Sequence, residues 1–289
     1  MRTSFILPMM LILTAMILQA DLVFAGKNMS VEEAIRKKMI SVTVKGKGGY
    51  TGEVIVLKLK NLLNKVVSID VEAGRRLDSQ DQGEQDILVN KAVTLALLPN
   101  QSKTIALSGM CCQAHNGSPG SDSEFSIGKM ADSNLVKLAQ FIDQNKWHDN
   151  HIAQNAVWVV SDHNRMEDIG GEDPVSKKLQ TFVSKLTGRE IPKYKIDYEN
   201  NSGSGAVYSG VPANINGTFD FELISNGLIT FGIYDSQGHV VEMFFTDKLS
   251  NKGHYGFKYS FKTSDLPKGD YYARLRFDGQ VRKEQKFTF

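Results

Sequence analysis

The hydrophobic period changes twice along this chain, and the change limits what it can fold into. Between residues 40 and 107 the apolar positions repeat every second residue: Val42 and Val44, the run EVIVLKLK at 53–60, Val67/Ile69/Val71, Val93/Leu95/Leu97 and Ile105/Leu107. Asn61, Gly74 and Pro99-Asn100 separate these runs, and Gly46-Lys47-Gly48-Gly49 lies where a hairpin turn is expected. Short alternating runs with close turn signals predict an antiparallel sandwich or barrel.

A period of 3.6 then takes over. Leu135, Leu138, Ala139 and Ile142 share one face of a helix over 133–146, with Asp132 or Ser133 as its cap. Ile152, Ala156 and Val160 define a second helix over 151–161. In the third, Asp173-Pro174 supplies a cap and a first-turn proline, an apolar stripe runs from Val175 to Leu186, and Gly188 and Pro192 end it. A further helix start at 30–39 has Ser30 as cap and Glu33 three residues on. Residues 198–216 are polar and rich in Gly, Ser and Asn, as in a flexible linker. Alternation returns from 217 to the end, with turns at Asp235-Ser236-Gln237-Gly238 and Leu266-Pro267-Lys268-Gly269, and predicts an immunoglobulin-like sandwich. The expected fold is mainly β with added helices (α+β). A β-sandwich-like domain with about three helices occupies 26–197, a linker 198–216 and an Ig-like sandwich 217–289.

The N-terminus reads as a cleavable secretory signal over residues 1–25. Arg2 is followed by an apolar stretch from Phe5 to Leu18 and by Val23-Phe24-Ala25 before the break. Gln19 and Asp21 interrupt the apolar run before it reaches the roughly 20 residues of a spanning helix. No other stretch is long and apolar enough to span, so the mature protein is expected to be secreted, periplasmic or on the cell surface. With 34 Lys+Arg against 32 Asp+Glu the net charge is +2, too weak a field for a dedicated nucleic-acid binder.

Two stretches resemble known bacterial families. The ending, with Asp-x-x-Gly between strands and Asp-Leu-Pro-x-Gly-Asp-Tyr at 265–271, resembles the C-terminal Ig-like modules of exported proteins of the secretion-sorting and hook-capping kinds. The segment AQNAVWVVSD at 153–162 resembles the Thr-Gln-x-Ala-x-Trp segment of surface thioester domains. That resemblance implies a covalent adhesin in which Gln154 is joined to the sulfur of Cys111 or Cys112, with Trp158 and His151 as supporting residues. Ala153 stands where the family has Thr, and the cysteines lie only about forty residues before the glutamine.

Read from the residues alone, Gln154 and Trp158 lie one turn apart and can simply pack a helix onto a sheet. Cys111 and Cys112 are open to a thioester, a strained vicinal disulfide, a bond to another molecule or plain burial. His148, His151 and His163 are weak metal candidates whose spacing fits no standard zinc pattern, so no metal and no cofactor are assigned. Glu167-Asp168 and Glu172-Asp173 lack the ligand alternation of a calcium hand. A Cys112–His151 or Cys112–His163 hydrolase dyad lacks a recognisable oxyanion partner. There is no Gly-x-Ser-x-Gly elbow, His-Glu-x-x-His or phosphate-binding loop. The expectation is an exported, non-enzymatic binding protein for an unknown protein or surface ligand, with the thioester adhesin as the alternative.

Overall fold

The computed structural model describes residues 28–199 and 208–289; the expected signal segment and the centre of the expected linker lie outside them. In chain order the elements are β1 (Met29–Ser30), α1 (Val31–Arg36), β2 (Ile40–Gly46), β3 (Thr51–Asn61), β4 (Val67–Val71), β5 (Arg75–Ser79), β6 (Ile87–Val89), β7 (Val93–Leu97), β8 (Ser102–Cys111) and β9 (Glu124–Met130). The helices α2 (Ser133–Asn145), α3 (His151–Ser161) and α4 (Pro174–Thr187) follow, with a 3-10 turn over Met166–Ile169. The remainder is β10 (Tyr194–Tyr198), β11 (Pro212–Leu223), β12 (Gly227–Asp235), β13 (Val240–Ser250), β14 (Gly253–Lys262), β15 (Asp270–Phe277) and β16 (Gln280–Thr288). The mainly-β class with added helices holds.

The expected strand layers of the first unit close on themselves. Strands β2-β3-β8-β6-β5-β9 form a barrel, sealed where Val44 pairs with Phe125, and β1-β4-β7 form a separate small sheet. Closure removes sheet edges that would otherwise be exposed. The β2–β3 hairpin turns through Gly48 and Gly49 at φ +88° and +94°, conformations open to glycine at little cost. At Gly46 a side chain would lie 2.1 Å from the Gly120 carbonyl oxygen, so the barrel seam requires a bare α-carbon there.

Strands β5 and β6 are among those of this unit that escape the period-two reading. Strand β5 has the sequence RRLDS, and the inward position at Arg75 is only 2% exposed. Its guanidinium donates to Glu72, Glu32 and the Gly128 carbonyl, which satisfies the buried charge and ties α1 to the barrel. Strand β6 is three residues long and buried throughout, so it has no polar face to alternate with.

The second unit is a sandwich of the sheets β10-β11-β14 and β13-β12-β15-β16 around an aromatic core that includes Phe219, Phe231, Phe261 and Phe287. It starts earlier than the expected boundary. Strand β10 pairs with β11 from Tyr194↔Gly217 to Asp197↔Asn214, and Ile196 and Ile215 are buried in this core. Residues 194–198 therefore belong with the sandwich, and 212–216 are strand rather than linker. Asn214, Asn216 and Thr218 take the outward positions, but Gly217, packed under Tyr259, puts no apolar side chain at the inward position between Ile215 and Phe219 and so masks the alternation.

The helices build a second core against the barrel. Leu138 and Ile142 of α2, Val157 of α3, and Leu179 and Val183 of α4 pack together with Met110 and Cys112. Among the described residues no helix is long and apolar enough to cross a membrane.

Candidate functional site

Helix α3 lies between the barrel and the other helices. Asn150 caps it by accepting from the Ile152 and Ala153 N–H groups. Ala153, Ala156, Val157, Val159 and Val160 face the helical core, whereas Trp158 joins the barrel core beside Cys111. Gln154 is fully buried, and its carboxamide is laid against the Cys111 main chain. Its Oε1 accepts from the Cys111 N–H at 2.9 Å, and its Nε2 donates to the Cys111 carbonyl at 2.8 Å. One side-chain amide thus pairs with one residue's donor and acceptor, as a neighbouring strand would.

The structure therefore brings Gln154 to Cys111 and separates the two cysteines. Cys111 packs in the barrel core and Cys112 in the helical core, because successive residues of an extended chain point to opposite sides. Both are free thiols. Burial pushes the Cys111 thiol up to about 12. Cys112 is held well above the ordinary thiol range, first by burial and then by the neighbouring Cys111 and Asp86. Both are neutral at physiological pH, and the nucleophilic thiolate is scarce.

Around this pair runs a polar and aromatic network. Trp158 Nε1 donates to Gln85 Oε1 at 3.2 Å, and the same oxygen accepts from the Gln113 N–H at 3.0 Å. The Tyr208 ring lies 6.2 Å from Trp158, 4.9 Å from Tyr198 and 5.9 Å from His115. Tyr198 and Tyr208 both donate to Asp168, at 2.5 and 3.2 Å. Burial lifts the Asp168 carboxyl to about 6, against the opposing pull of the two tyrosine hydroxyls. In the sequence Asp168 reads as part of an acidic surface loop; here it is 8% exposed and bolts the 3-10 turn to β10. Only its neighbours in space, thirty and forty residues away, reveal that role.

The histidines do not gather. His148 Nε2 is 2.9 Å from Asp143 Oδ1, while His151 starts α3 and is exposed. His163 follows the far end of α3, an 11-residue helix and so about 16 Å long. His151 is thus turned to solvent while Gln154 is buried, and it does not support the glutamine. His115 is exposed beside Tyr208. Among the described residues no group of three or more His, Cys, Asp or Glu side chains converges as a metal site.

The open feature is elsewhere. A cleft of about 730 Å³ lies between α4, the segment 191–195 and the outward face of β11 and β14. Lys195 pairs with Asn216 in register, as does Thr218 with Lys258, so all four project from the same face of the sheet. Lys177, Gln180 and Thr181 of α4 form the opposite wall, and Lys193 also lines the cleft. Two of the lysines are engaged: Lys177 with Glu172 at 2.9 Å and Lys195 with Asp197 at 2.8 Å. No ion pair among the described residues involves Lys193 or Lys258, and both are exposed. Sequence reasoning missed this cleft because its floor is the stretch read as linker and strand surface.

No protein-family model matches the chain. A search of curated proteins found no match either.

Proposed function

We propose that the chain is an exported, non-enzymatic binding protein of bacterial type, with an Ig-like second unit for spacing or attachment. The observation that carries this reading is the lysine-lined cleft of about 730 Å³ between α4 and the sandwich, a concavity of ligand size that draws on both units. The Cys111/Gln154 centre is closed: the glutamine carboxamide is engaged on both sides and the thiols are neutral. Export rests on the n-region, apolar stretch and Ala25 break at the N-terminus.

A second reading is a thioester-bearing adhesin, favoured by one observation: the Gln154 carboxamide lies against the Cys111 main chain. In that reaction the Cys111 sulfur attacks the Gln154 amide carbon. A C–S bond forms, the C–N bond breaks, and the thiol proton leaves with the nitrogen as ammonia. A primary amine would then open the thioester, giving an amide and restoring the thiol. Intact-mass measurement of the purified protein before and after methylamine treatment separates the readings. Non-covalent binding predicts the unmodified mass in both. An ammonia deficit that becomes a methylamine adduct on Gln154 would replace the first reading with the second.

A further inference from the structure

Resting on the binding reading above, we propose that the inter-unit cleft takes an acidic oligosaccharide, a short chain of hydroxyl-rich sugars bearing carboxylates. Three features of the cleft define that chemistry. The first is charge: four lysines face two carboxylates, Glu172 and Asp173. The acids are already occupied, Glu172 by Lys177 and Asp173 by the Val175 and Ser176 N–H groups at the start of α4. What remains uncompensated is the positive charge of Lys193, next to the start of β10, and of Lys258 on β14. These are the two outer strands of the sheet, and their backbones lie about 10 Å apart across β11. Separated ammonium groups suit carboxylates spaced along a chain better than one compact phosphate, which favours a convergent nest.

The second feature is the set of neutral polar groups between the lysines. Gln180 on one wall and Thr218 on the other provide both donors and acceptors, and Thr181 and Asn216, which donate to the Lys177 carbonyl and to Asp197, add acceptor oxygens. Ring hydroxyls need this dual capacity, whereas a phosphate needs donors only. Ile191, at 46% exposure, and Pro192 add an apolar rim against which a sugar's C–H face can rest.

The third feature keeps an extended acidic peptide from adding as a strand on the floor. The floor is a sheet face, and its central strand β11 is paired on both sides by β10 and β14. Free main-chain groups for a peptide strand remain only along the outer edges of β10 and β14.

Calorimetry on the full mature chain tests this with trigalacturonate, neutral galactotriose, inorganic phosphate and a hexaglutamate peptide as probes. Trigalacturonate is expected to bind, weakening as salt rises, with the other three at least tenfold weaker. Lys193→Gln with Lys258→Gln is expected to weaken trigalacturonate roughly tenfold or more while the circular dichroism spectrum stays unchanged, since both side chains are exposed. Equal binding of hexaglutamate or phosphate overturns the saccharide assignment, as does trigalacturonate binding that is indifferent to the double substitution. No trigalacturonate binding also overturns it. If cell-surface extract still protects these lysines from acetylation in that case, the ligand class fails while the binding reading stands.

Discussion

Gln154 is a structural clamp whose removal is measurable. Gln154→Leu keeps the volume but leaves the Cys111 carbonyl without its side-chain donor in a buried site, and is expected to cost about 2–4 kcal/mol of stability in urea unfolding. Gln154→Glu should cost more, because a carboxylate cannot donate to that carbonyl and must be buried or protonated. A negligible cost in both variants would contradict the clamp. Asp168 titrates in a defined window. Its folded carboxyl lies near 6, above the ordinary 3.8, so the stability it contributes is present below about pH 4 and lost as pH rises to about 6. The stability of the native protein relative to Asp168→Asn should therefore fall by about 3 kcal/mol across that window and then level off. A flat difference from pH 4 to 7 would remove Asp168 from the inter-unit bolt.

At the scale of elements, α3 docks the helices on the barrel through Trp158. Trp158→Ala is expected to cost about 3–5 kcal/mol, read as a lower unfolding midpoint, with loss of near-ultraviolet dichroism. The helices were legible in advance because their caps are local. Asp132 and Asp173 act within three residues of the groups they satisfy, as does Asn150, a cap the sequence reading did not name. Strands β2, β3, β4, β7 and β8 were legible because each has one polar and one apolar face. Strand β5 was not, since its buried Arg75 is made tolerable by Glu32, which lies 43 residues away. The nearness of Gln154 to Cys111 was foreseeable through a resemblance, but its form was not. Which atoms meet depends on the register of α3 against β8, and no local pattern encodes that register.

For the whole molecule, the junction between units is a constructed surface. Tyr198, Tyr208 and Asp168 form one contact, and Arg165 donates to the Thr288 carbonyl beside the chain end. Because β10 belongs to the sandwich, a fragment covering 190–289 is expected to fold, with dispersed amide resonances. A fragment covering 217–289 loses β10, half of β11 and the buried Ile196 and Ile215, and should not. Equal folding of both fragments would return the boundary to residue 217.

Under the proposed binding function, the ligand lies in the cleft between α4 and the β10–β11–β14 face. The most direct check is acetylation mapping of the intact protein, with and without cell-surface extract. Slowed modification at Lys193, Lys195 and Lys258, with remote lysines such as Lys103 and Lys129 unchanged, is the predicted pattern. Identical rates at every lysine with and without extract would contradict it.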